Sequence, residues 1–341
     1  MSLPTTFIAG EDELTLSLEQ LKEFLSRDHD NETVMQLIRK YCLQSSSRDI
    51  QKKGMEFLYM NGFFEELQQL VEKNKKSTYT SNRQWASIYQ IMIDRNTTRY
   101  SPHELLQKVK RMTADDPETK CLIEFVKVTL YYDLQQYDKI GNFLDIQQRL
   151  FERIDDRFLI AFFNIRLNQF LMIYYLLRNE LIMARKCAYR VLNLSQNPNT
   201  KAGVHIKLGL SYIFDTYLQG MYHLNEAISI AEYHGLQNII HSVNNNNIPF
   251  LTSHFRKLDQ FEHITTTDAS ELAHMEIAKG NNAKAISILS KIKLDSPFKL
   301  YYMGKAKYDK QILLQSYNEF IEKRSDFFFS RLPLSVLKTM K

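Results

Sequence analysis

The stretch from Leu272 to Ile292 constrains the fold most, because it reads as two helices that must approach each other closely. Ala273 and Ala285 are small residues placed for close approach. The Gly280-Asn281 pair supplies a left-handed stop for the first helix, and Ala285, Leu289 and Ile292 form the buried stripe of the second. The same phase recurs around Gly62/Phe64/Leu67/Val71, Asn179/Ala184/Ala188, Gly209/Tyr212 and Gly304/Ser316/Phe320. One such hairpin cannot bury its own apolar face, so several must stack, and the stack presents a concave surface. Chains of this kind bind more often than they catalyse.

Composition supports helices and excludes several alternatives. A hydrophobic content of 44%, with 21 Phe and 19 Tyr, excludes a disordered chain. Only 10 Gly and 7 Pro in 341 residues leave too few turns for a β-sandwich. Three distant cysteines, Cys42, Cys121 and Cys187, make no disulfide framework and fit a reducing cytoplasm. The longest apolar stretch, Phe158 to Leu177, is interrupted by Asn164, Arg166, Asn168 and Gln169, which argues against a membrane span. No signal peptide is read, and Met1-Ser2-Leu3 looks like an added start, so the natural chain is expected to extend upstream. Net charge is +5, with the excess near the C-terminus at Lys305, Lys307, Lys310, Lys323, Arg324, Arg331, Lys338 and Lys341. That excess reads as a solvated face and does not by itself define a nucleic-acid binder.

The expected order is a disordered start to about residue 12, a helix from Glu13 to Arg27 with Leu14, Leu18, Leu21 and Leu25 on one stripe, and a second from Glu32 to Leu43. Helices then run almost to the end. Breaks are expected at Asn74–Ser81, Arg99–Pro102, Thr113–Pro117, Asn197–Asn199, Asn244–Pro249, Thr265–Asp268 and Asp295–Pro297. Ser101-Pro102 with Glu104, Asp116-Pro117, and Thr267-Asp268 ahead of Glu271 are helix starts. The fold class is all-α: a tetratricopeptide-like right-handed superhelical solenoid of roughly 16 to 19 helices.

The search for chemistry returns little. There is no phosphate-cradling glycine loop, CxxC or HExxH, and the nine histidines lack the spacing of a shared metal. The adjacent pairs Asp115-Asp116 and Asp155-Asp156 point in different directions and make poor acid/base pairs. No enzyme activity, cofactor or metal is expected. The run Asn244–Asn247 is either a helix break with capping amides or a set of amides lining a groove. Arg166 is costly to bury alone and must meet a carboxylate, the protein's own or a ligand's.

Several ordered segments resemble the arbitrium peptide receptors, AimR-like regulators of Bacillus phages and prophages. They are Lys40-Tyr41-Cys42-Leu43, Val128-Thr129-Leu130-Tyr131-Tyr132-Asp133, Asp156-Arg157-Phe158 with Arg166, and Asn197-Pro198 ahead of Leu208-Gly209-Leu210-Ser211-Tyr212-Ile213-Phe214. Lys279-Gly280-Asn281 and Ser325-Asp326-Phe327 leading to Leu332-Pro333-Leu334 complete the set, which spans roughly residues 30 to 338. The resemblance implies a cytoplasmic, dimeric transcriptional regulator in which a helix-turn-helix domain binds a phage operator. A tetratricopeptide-like domain responds to a short secreted peptide governing lysis or lysogeny. It implies that residues 1–45 are the remnant of the helix-turn-helix region and 46–341 the sensor. Operator DNA would then be bound only by a longer chain, and the dimer would be weakened for want of a terminal helix.

By the same resemblance, Glu271 and Asp326 fall on acidic pocket positions and would clamp a peptide amine or arginine. Asn199 stands where the family has a peptide-contacting arginine, and Leu177 and Leu294 replace pocket asparagines. Leu177, Leu210 and Ile213 would form an apolar wall, with Lys207 or Arg166 receiving the peptide carboxylate. Two other readings remain: a non-enzymatic interaction scaffold that no longer senses peptide, and an aspartate-phosphatase receptor, disfavoured because residues 1–45 are too short for its bundle.

Overall fold

The computed structural model describes residues 16–340; side chains of residues 142–148 fall outside that description. The expected disordered start and Leu14 lie outside the described residues. Every regular element among the described residues is helical, as the periodicity requires.

The helices fall into two compact units. The first takes residues up to Leu134 and Lys139–Leu167. It contains α1 (Leu18–Leu25), α2 (Asn31–Gln44), α3 (Arg48–Asn61), α4 (Phe64–Lys75), α5 (Thr80–Asn96), α6 (Pro102–Lys110), α7 (Pro117–Asp133), most of α8 (Asp138–Phe151) and the first half of α9 (Arg157–Leu177). The second takes Gln135–Asp138 and everything from Asn168. Its helices after α9 are α10 (Leu181–Leu194), α11 (Pro198–Ser211), α12 (Tyr217–Tyr233), α13 (Gln237–Ser242), α14 (Ile248–His254) and α15 (Ala269–Lys279). They continue as α16 (Asn282–Leu289), α17 (Pro297–Lys307), α18 (Lys310–Asn318) and α19 (Arg331–Leu337). In each unit helices pack on their sequence neighbours and also on the next but one, as in α3 on α5, α5 on α7, α12 on α14 and α15 on α17. That is helical-repeat stacking.

Local chemistry sets most boundaries. Ser101 and Glu104 cap α6 reciprocally, Asp116 caps α7 ahead of Pro117, and Asp268 caps α15. Gly280 ends α15 at φ 89°, the conformation that spares glycine alone the cost of a Cβ. At Gly304 in α17, a Cβ would stand 2.8 Å from Leu313 Cγ and 3.0 Å from Leu313 N, so only glycine lets α18 lie this close.

Three expectations need correction. The helix that includes Leu18 starts there, where Ser17 and Gln20 form a capping box, and ends at Leu25 before the expected Arg27; the expected start at Glu13 lies outside the described residues. The division expected near residue 45 is not where the compact units part. Leu21, Leu25, Ile38 and Tyr41 of α1 and α2 share one core with Phe57, Leu70 and Trp85. Lastly, Asn244–Pro249 is not a break. The chain stays helical through a π turn, Val243–Asn247, in which the Ile248 N–H bonds to the Val243 carbonyl five residues back. The wider turn accommodates Pro249, whose missing N–H and ring would disrupt a regular α-helix.

By length and composition α9 could cross a membrane. Its midpoint, however, holds Arg166, 3% exposed and bidentate to Glu56 of α3 in the core of the first unit. A buried core helix satisfies the same length test.

Candidate functional site: buried polar groups in the second unit

Two segments of the second unit are fixed by hydrogen bonds between stretches distant in sequence. The Asn245 Oδ1 accepts from the Thr267 N–H at 2.8 Å, and the Asn246 amide donates to Asp268 at 3.0 Å. These bonds tie the π turn to the N-cap of α15, so two of the asparagines organise a loop. The Asn247 Oδ1 is buried and has no hydrogen-bond partner. At the other segment, the Leu177 carbonyl at the end of α9 accepts from both the Phe327 and Phe328 N–H groups, at 2.8 and 3.1 Å. Asp326 Oδ1 accepts from the Phe329 N–H at 2.9 Å and so shapes the turn leading into α19.

Between these segments lies a cluster of titratable groups in an aromatic setting. Glu271, in the first turn of α15, accepts from the Tyr302 hydroxyl at 2.9 Å through Oε1. Its Oε2 has no hydrogen-bond partner; His274 Nδ1 lies 3.6 Å away. Burial pushes the Glu271 carboxyl up to about 8, and the Tyr302 bond only partly opposes it. His274 is fully buried and stacked on Tyr302 at 4.3 Å. Both its ring nitrogens lack partners. Burial and the charge of Lys305 hold it well below the usual imidazole range, so it is neutral. His254 of α14 is pushed down to about 4 by the same two causes, and a hydrogen bond with the Ile213 backbone opposes them. Its Nδ1 and the Ser253 hydroxyl are also unpartnered. Lys305 of α17 reaches the Tyr301 hydroxyl at 3.2 Å, and burial, helped by the charge of Arg256, brings it down to about 8. Asp326 is 3% exposed and burial pushes its carboxyl up to about 7. Rings connect the two acids. His274 meets Phe250 at 5.7 Å, Phe250 meets Phe329 at 6.3 Å, and Phe329 is the residue whose N–H Asp326 holds.

Of the residues singled out in the sequence, Glu271, Asp326, Leu177 and Ile213 lie around this cluster, with Leu210 half-buried against the same core. Asn199 does not. It is exposed in the first turn of α11, about 16 Å along that helix from Leu210 at 1.5 Å per residue, and its N–H donates to Asn197. Arg166 is a correction: it belongs to the first unit, and both guanidinium bonds go to Glu56 at 2.8 Å, so the carboxylate it meets is internal. Sequence reasoning missed His254, His274 and Lys305. The histidines are 20 positions apart on different helices. Lys305 looked like part of a solvated basic face, and its only flag was Tyr301 one helical turn earlier.

An all-α repeat protein with ionisable groups sequestered among aromatic rings, and no group of His, Cys, Asp and Glu able to hold a metal among the described residues, has the makings of a ligand-responsive binding protein. Residues 34–339 match the family described as AimR transcriptional regulator-like, and the chain belongs to that family. It is 22% identical to the AimR transcriptional regulator of Bacillus phage SPbeta over 329 residues, covering 89% of this chain and 80% of the relative. An uncharacterized protein of Bacillus anthracis is 25% identical over 244 residues, or 69% of this chain and 89% of that one. Among solved structures, one described as phAimR-Ligand superposes with a TM-score of 0.76 at 18% identity, covering 97% of this chain and 98% of the other. A second, SeMet-phAimR, gives 0.66 at 18% identity over 94% and 85%. These establish the fold.

Proposed function

We propose that this regulator senses a short peptide in its second unit and passes the result to operator DNA, acting as a cytoplasmic dimer. The observation that carries this reading is the concentration of unanswered polar atoms there: Glu271 Oε2, both His274 nitrogens, His254 Nδ1, Asn247 Oδ1 and Ser253 Oγ. Native proteins leave few buried polar groups unpaired, because each costs about 1–3 kcal/mol. A set of them in one region is what a site built for a polar ligand looks like before the ligand arrives. Glu271 and Asp326 then accept hydrogen bonds from a peptide ammonium or guanidinium. Neither acid pairs with a lysine of the C-terminal helices, which supports a ligand role over a salt-bridge role.

The test is calorimetry with a synthetic peptide selected for binding to the parent chain from a random hexapeptide pool, using Glu271→Ala and Asp326→Ala checked for folding by circular dichroism. Each variant should lose on the order of 2–5 kcal/mol of binding. Unchanged affinity in both would sink the acidic site.

A further inference from the structure

Lys305 is the one group in this cluster whose charge has the wrong surroundings for a resting protein. Its ammonium reaches a neutral phenol, Tyr301, and no carboxylate stands within ion-pair distance of it among the described residues. The charges and dipoles facing it come from three elements. Arg256, exposed just past α14, adds a second cation, and its own side chain makes no ion pair among the described residues. His254 of α14 and His274 of α15 present uncharged rings with unpartnered nitrogens. Tyr301 is fully buried beneath it. Two cations brought together without an anion repel one another, and a desolvated ammonium without a counter-charge is unfavourable. Such an arrangement is tolerated where an anion completes it.

We propose that Lys305, with Arg256 at the rim, is the receptor for a ligand carboxylate. The assignment rests on the peptide-sensing reading and deepens it. His274 stands between the two ends of the site, 3.6 Å from Glu271 on one side and within the field of Lys305 on the other. A peptide would therefore lie across His274 with its positive group toward Glu271 and its negative group toward Lys305. The carboxylate can be the C-terminus or an Asp or Glu side chain; its chemistry at Lys305 is the same. Such a site also makes Arg166 and Lys207 unnecessary as carboxylate partners.

The experiment uses the full chain and three pools of synthetic random hexapeptides. One pool has free C-termini, one is amidated, and one is amidated and lacks Asp and Glu. Peptides retained on gel filtration are identified by mass spectrometry. Retention should be strongest for the free-acid pool if the C-terminus is read, or equal in the first two pools and lost in the third if a side chain is read. In either case the discrimination should be about tenfold or more, as for a hydrogen bond to a charged group. Lys305→Met should abolish the discrimination while melting no lower than the parent, and Lys305→Arg should retain it. Equal retention of all three pools, or discrimination that survives in Lys305→Met, overturns the assignment of Lys305 while leaving the receptor reading standing. Retention of no peptide from any pool overturns the receptor reading, and this inference with it.

Discussion

The two units bury charge in opposite ways. In the first, Arg166 and Glu56 are joined by two parallel 2.8 Å bonds, Glu56 also accepts from the Tyr89 hydroxyl, and the Tyr59 ring covers the guanidinium at 4.6 Å. Both charges of this pair have their complement: burial works to lower the Arg166 pKa, and the Glu56 carboxylate more than restores it. In the second unit Glu271 and Asp326 are buried and Lys305 half-buried without a mutual ion pair, and two imidazoles are held neutral. A satisfied network specifies a structure; an unsatisfied one waits for something to complete it. The contrast separates what holds the protein together from what it uses.

The largest effect should come from breaking the satisfied network. Arg166→Met strands Glu56 in a core and should cost about 3–5 kcal/mol in urea denaturation, with much of that recovered in the Arg166→Met/Glu56→Met double variant. A cost under about 1 kcal/mol would erase the contrast. Next comes the pH response of the second unit. Folded Glu271 keeps its proton up to about 8, whereas the unfolded chain loses it in the ordinary carboxylate range, so the folded state binds the extra proton between those limits. Its contribution to stability is complete at acidic pH and is lost as pH rises through about 8; Asp326, at about 7, acts in the same direction. Glu271→Gln should therefore flatten the stability profile between pH 5 and pH 8 by on the order of 3 kcal/mol. Identical slopes for parent and variant would mean that Glu271 is solvated after all. The smallest effect concerns the loop. Asn245→Ala removes the acceptor for the Thr267 N–H and should cost about 1–2 kcal/mol, with faster hydrogen exchange at Thr267.

Much of the helical framework was legible because its punctuation is local. Ser101-Pro102 with Glu104, Asp116-Pro117, Asn197-Pro198 and Gly280 each declare a boundary through their own backbone chemistry. The Asn244–Asn247 run misled because the same amides serve equally well in a turn or in a widened helix, and what decided between them was Thr266–Asp268, some 20 residues on. The need of Arg166 for a carboxylate followed from burial alone, but naming Glu56, 110 positions away, required the fold. Glu271 and Asp326 were reached through family resemblance. Lys305 was not, since a lysine between Tyr301 and Lys307 carries no mark of burial until α15 and α14 are placed against it.

Both π turns in the second unit, Val243–Asn247 and Glu319–Lys323, sit immediately before residues that line the polar cluster. A π turn accommodates one surplus residue, and a helix advances about 100° per residue. Deleting a single asparagine from 244–247 would restore a regular helix yet swing Phe250 and His254 a quarter-turn or more away from Phe329 and Phe214. The same edit in 319–323 would re-aim Asp326, whose N–H now bonds to the Phe320 carbonyl at 2.8 Å. Changes of chain length by one residue, with no change in side-chain chemistry, thus give this fold a coarse way to retune which ligand it accepts, and point substitutions a fine one.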